Sequence, residues 1–310
     1  GYRGQGSSRC CSYQGRIIHR HISLKADTSN DVRFSIFIDL SFKSSFVMRI
    51  SNTLAIVMLI LCFACQNGSK STSTTFSTDS LSFERTDSVL SFLVQVDFPS
   101  SGNPILRNAI AEFIYKELDE KYNGNIYDGN AMLTNYANTT YNNFYTNALD
   151  TRRYSPHLQY AFIKTIKKSH ESDLLVTYIV SIMGFEGGAH GYSFEKGATF
   201  RKSDGKIFNY DMFTDTNSRE FKDILTSGLK NYFSENIGTK DINLEDFIFG
   251  PIDSDFPKLP EEGPYLTADG ITFIYQEYEI APYAAGKPMF TIPYNVIEPY
   301  LNHTGKTFIR

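Results

Sequence analysis

Tryptophan is absent from the 310 residues, and cysteine occurs only at positions 10, 11, 62 and 65. Beyond Cys65 the chain can hold neither a disulfide framework nor a cysteine-bound metal. Histidine is scarce there too: His157, His170, His190 and His303 stand far apart, and no His-Glu-x-x-His spacing joins them. A Gly-x-Ser-x-Gly elbow is missing, as are a glycine fingerprint for nucleotides and any internal repeat. The longest apolar run, Leu54–Leu61, is too short to span a bilayer. The expectation is a module with no cofactor and no assembled catalytic group.

Charge is present in both signs but unevenly. Residues 1–64 carry eight Lys/Arg against three Asp/Glu, which leaves 22 against 31 in residues 65–310. An acidic body of this kind is a poor nucleic-acid binder and a natural partner for a basic protein. Phenylalanine (25) and tyrosine (20) are abundant, so the core is expected to be built on them.

Residues 1–47 show no sustained periodicity and are read as an upstream extension that contributes nothing to the fold. Met48-Arg49 followed by Leu54–Leu61 and Cys62-Phe63-Ala64-Cys65 reads as a signal peptide over 48–64. Its end resembles a bacterial lipobox, with Cys65 as the lipidated first residue of the mature chain; Cys62 stands where leucine is usual. Gln66 after that cysteine fits outer-membrane sorting. The polar stretch up to residue 80 is then a tether that holds the domain away from the bilayer.

The globular part is expected to be α+β, with a mainly antiparallel sheet, packed helices and two sequential subdomains, 81–186 and 187–302. Leu90, Phe92, Val94, Val96 and Phe98 alternate with more polar residues as a strand does. Asn103-Pro104 opens a helix carrying Leu106, Ile110, Phe113, Ile114 and Leu118. A weaker helical pattern over 129–150 puts Tyr136, Tyr141, Phe144 and Tyr145 either in the core or on an aromatic surface. Strands follow at 158–167, 173–182 and 192–200, and Asp204-Gly205 marks a hairpin turn. A helix around Phe221–Leu229, strands near 265–275 and 288–292, and a short helix at 294–301 complete the domain.

Three features stand out for function. Phe185-Glu186-Gly187-Gly188-Ala189-His190-Gly191 joins two strands; His190 is either simply held in a turn or serves as a ligand or proton carrier. The two intervening glycines exclude a zinc-binding helix through Glu186 and His190. Residues 241–262 form an acidic loop in which Asp246, Asp253 and Asp255 surround the apolar Phe247 and Phe249, a pattern for docking a basic partner or for a solvated connection. Finally, Tyr275, Tyr278 and Tyr283 could stack sugars or fill the core. Glu277 and Glu279, two apart, would share one face of an extended segment, as a glycosidase-like pair or as a solvated strand edge.

The stretch Gly187–Gly191, the Lys206–Phe213 stretch and the terminal Phe273–Gly286 stretch occur in an order that resembles the paired domains of RsiV-type anti-sigma factors and PdaC-type peptidoglycan deacetylases. The resemblance covers roughly residues 80–302. It reaches neither the sigma-binding segment of the first type nor the metal-dependent catalytic domain of the second. It implies an envelope-facing recognition domain on a lipid anchor, whose partner is a basic extracellular protein such as a lysozyme-type muramidase, or else peptidoglycan.

Overall fold

The computed structural model describes residues 75–239, 241–252 and 256–310. The expected signal peptide, Cys65, Asp253 and Asp255 lie outside the described residues.

Two sheets organise the domain. The first runs β1 (Ser77–Thr86), β2 (Leu90–Ser101), β3 (Tyr160–Glu171), β4 (Leu175–Phe185) and β5 (Tyr192–Arg201), in that spatial order. Strand β1 begins at Ser77, inside the stretch expected to be tether. Three of the four pairings are antiparallel, but β2 and β3 run parallel. Parallel neighbours need a crossover, which α1 (Pro104–Glu117) and α2 (Gly129–Arg152) supply. Asn103 accepts from the Ile105 N–H and Asp128 from the Ala131 N–H, so each helix starts on a side-chain cap.

The alternating residues of β2 face these helices: Leu90, Phe92, Val94 and Val96 are buried with Ile110, Ile114, Met132 and Tyr141. Tyr136, Phe144 and Tyr145 pack against the same cluster, which decides the aromatic stripe of α2 in favour of the core.

The division expected at residue 187 falls inside this sheet, because β4 and β5 pair across it from Leu175–Arg201 to Gly184–Tyr192. A second apolar cluster begins only with Phe208, apart from Leu175. It holds α3 (Arg219–Ile237) and the sheet β6 (Tyr265–Leu266), β7 (Gly270–Ile274) and β8 (Met289–Pro293), ordered β6-β7-β8, then the short helices α4 (Tyr294–Ile297) and α5 (His303–Lys306). Phe213, Phe221, Phe273 and Phe290 form its centre, with rings 5.2 to 6.3 Å apart.

The two parts meet along a seam on the face of β4 and β5 turned away from α1 and α2. There the Thr177 and Thr199 hydroxyls meet at 2.8 Å; Thr177 donates to the Leu266 carbonyl, and Thr199 accepts from the Leu266 N–H. Gly197 lets the Tyr265 ring lie directly on β5, since a Cβ there would sit 2.2 Å from it.

Candidate recognition site

The β4–β5 connection runs through Gly187 and Gly188 at φ +89° and +90°, a region that favours glycine. His190 emerges from this turn exposed. The Gly191 carbonyl can only accept, so at 2.7 Å it fixes the proton on His190 Nδ1. In the neutral ring Nε2 is then left to accept from the Tyr278 hydroxyl at 3.3 Å. Tyr283 stacks on the imidazole with centroids 3.7 Å apart and planes 19° from parallel. Tyr278 lies 5.9 Å from Tyr283, is 54% exposed, and takes a left-handed φ of +67°.

Both tyrosines sit on the segment 275–286, which is held from several sides. The Gln276 side chain accepts from the Glu195 N–H at 3.1 Å and donates to the Glu195 carbonyl at 2.7 Å, imitating a neighbouring strand on the edge of β5. Glu277 accepts from the Ser193 N–H and hydroxyl. Glu279 accepts from the backbone N–H groups of Gln276 and Glu261. Tyr232 of α3 donates to the Ala285 carbonyl. The platform is thus set before any ligand arrives, which lowers the ordering cost of binding.

Several expectations change here. The segment carrying Glu277 and Glu279 turns rather than extends, and each carboxylate is occupied by its own set of donors. They form no acid–base pair. Burial, reinforced by Glu261 and Glu262 nearby, holds the Glu279 carboxyl above its ordinary value despite its two backbone donors. Tyr275 is fully buried and donates to the Lys258 carbonyl at 2.7 Å, so it belongs to the core and not to a sugar surface. Burial, with Glu277 and Tyr278 beside it, pushes the Tyr283 phenol up.

The acidic loop reaches the platform through this same segment. Phe249 donates its N–H to the Ile280 carbonyl at 2.8 Å and leaves its ring 55% exposed. Phe247 is not a free anchor: it stacks on Phe233 of α3 with centroids 5.4 Å apart. Asp246 is exposed. The structure therefore groups His190 with Tyr278 and Tyr283 and ties Phe249 to them by backbone, while it assigns Tyr275 and Phe247 to packing. Ser193 and Gln276, which pin the platform, carried no sequence signal, because their role depends on two strands meeting. Among the described residues no cluster of three or more His, Cys, Asp or Glu is placed to hold a metal ion. No helix there is long and apolar enough to cross a membrane.

This is an α+β domain with an exposed aromatic platform between two sheets. Residues 210–295 match the family model described as Protein of unknown function (DUF3298). That stretch includes the acidic loop and the platform tyrosines; His190 comes from the sheet before it. None of the curated proteins matches the chain. Among solved structures, a DUF3298-family member from Bacteroides fragilis is 22% identical with a TM-score of 0.58, covering 76% of this chain and 97% of its own. A DUF3298-family protein from Pseudomonas aeruginosa is 18% identical with a TM-score of 0.47, covering 74% and 94%. The Bacteroides likeness establishes the fold.

Proposed function

We propose that the chain is a non-catalytic recognition module of the bacterial cell envelope, lipid-anchored through Cys65 at the outer membrane, which docks a basic protein of the lysozyme type. This role and partner rest on the resemblance to RsiV-type and PdaC-type domains. The observation that carries the docking surface is the pre-set platform of His190, Tyr278 and Tyr283. An exposed tyrosine locked by neighbours is the kind of residue that dominates protein interfaces. Glu186 in the His190 turn, Glu245 and Asp246 in the loop that carries Phe249, and Glu261, whose N–H Glu279 accepts, are all exposed. They supply the long-range attraction for a basic partner, and Phe249 adds apolar contact.

Titration of the chain with a lysozyme-type muramidase, at low and at moderate salt, tests this. Binding should weaken steeply as salt rises, and Tyr278→Ala should weaken it by about 30-fold, the size of a hot spot. Absence of binding overturns the reading. Salt-insensitive binding of peptidoglycan fragments that Tyr278→Ala abolishes would instead make the platform a glycan site. Membrane release and loss of acyl labelling in Cys65→Ala test the anchor.

A further inference from the structure

The exposed edge of β8 has features the platform does not use. Tyr275 donates its N–H to the Pro288 carbonyl at 2.9 Å, and β7–β8 pairing then continues through Phe273–Phe290 and Ile271–Ile292. In an antiparallel pair the bonding direction alternates residue by residue. Phe290 and Ile292 therefore spend their backbone groups on β7, while Met289 and Thr291 aim theirs away from it. The Thr272–Thr291 hydroxyl contact of 2.8 Å fits this phase, because side chains approach most closely at a non-bonded pair. Among the described residues no backbone group pairs with the outward N–H or C=O of either residue.

This edge forms one side of a groove of about 590 Å³ whose other wall is α3. Gly228 makes this packing possible: a Cβ there would lie 2.1 Å from the Phe290 ring, so the ring rests directly on the helix backbone. Ile224 and Met289 give the groove apolar patches, and the charged residues lining it, Asp223 and Glu235, are both acidic. Arg219 approaches Asp223 only at 3.9 Å, with both side chains largely exposed.

We propose that the edge of β8 takes an extended, lysine- or arginine-bearing polypeptide segment of another protein as an added strand. Unpaired edge groups supply the main-chain bonds that strand addition requires. The acids of α3 select the sign of the charge on alternate side chains. They also disfavour a second copy of this chain, which would bring Asp223 and Glu235 against their own equivalents. The site contains none of His190, Tyr278 and Tyr283; Tyr232, which lines the groove, also donates to the Ala285 carbonyl behind the platform.

The test uses the full chain and a capped decapeptide of alternating lysine and valine. Binding should slow hydrogen exchange at the Met289 and Thr291 amides and weaken as salt rises. Thr291→Pro removes only an outward-facing N–H from the backbone and is tolerated at such an edge, and it should weaken binding about tenfold. Thr291→Val, which loses the hydroxyl but keeps the N–H, should bind as the parent does. Glu235→Lys should weaken binding about fivefold or more and blunt its salt dependence. The same decapeptide N-methylated at every residue keeps its charge but has no N–H on either edge to donate to a strand ladder, and it should not bind. Equal binding of that peptide, unchanged binding to Thr291→Pro, or a dimer of the chain that buries this edge would each overturn the proposal.

Discussion

In the first sheet the strands are ten to twelve residues long; β2 and β3 bury residues in alternation, while β4 and β5 bury consecutive runs where the seam covers their second face. In the second they are two to five residues long, and β7 is buried throughout. The contrast follows from what covers each sheet. α1 and α2 cover one face of the first sheet and leave much of the other half-exposed. In the second sheet β7 lies between its neighbours, α3 and the β4–β5 seam and is buried throughout, while β8 at the edge buries Phe290 and Ile292 and exposes Met289, Thr291 and Pro293. A strand covered on one face imprints a two-residue period on its sequence; a strand covered on both does not.

The sheet edges differ as well. On β5 the outward groups of Ser193 and Glu195 are taken by Glu277 and Gln276, whereas Met289 and Thr291 of β8 keep theirs open. One edge has been used to build the platform, and the other is left for a partner.

The largest effect that sharpens this comparison is expected from Phe273→Ala, at about 3–5 kcal/mol, since the ring is fully buried among Phe213, Phe221 and Phe290. Phe83→Ala on the flank of the first sheet should cost clearly less, because its ring is only partly buried. Denaturant unfolding should show one transition in both variants. Two separated transitions would mean that the seam does not couple the parts.

Thr199→Val tests the seam directly. It leaves the buried Leu266 N–H without its acceptor and should cost about 1–3 kcal/mol, read from the denaturation midpoint at unchanged slope.

A pH effect follows from Glu171, which accepts from Lys168 and Lys202 at 2.7 Å each and so ties the start of the β3–β4 turn to the end of β5. Burial opposes its ionisation, but the two lysines outweigh it and hold the carboxyl below its ordinary value of 4.5. A depressed folded value gives stability that is present above the unfolded value and is lost as pH falls through the folded one. Thermal melts of Glu171→Gln should therefore lose less stability between neutral and acid pH than the parent. An identical acid slope would remove this pair of contacts from the account.

The smallest effect is expected at Tyr278. Tyr278→Gly relieves a left-handed residue and should raise stability by about 1 kcal/mol, while muramidase binding is lost. A variant that is less stable would show that Tyr278 supports the fold more than it strains it.

The sequence by itself determined the α+β class, the capped helix α1, the strands β2 to β5 and the Asp204-Gly205 turn. Each rests on local chemistry: a capping side chain, an alternation, or a glycine that accepts positive φ. Glycines 187 and 188 likewise marked the turn that carries His190. Tertiary structure decided the rest. The parallel β2–β3 pairing depends on how two helices cross a sheet, and the parting of the two cores depends on β5 joining the first. Glu277 and Glu279 were read as neighbours on a strand because spacing says nothing about a turn closed by distant N–H groups. His190 and Tyr278, 88 positions apart, meet only because Gln276 and Glu277 find the free edge of β5. A contact made through the partners of a side chain leaves no period in a sequence, and this site is made of such contacts.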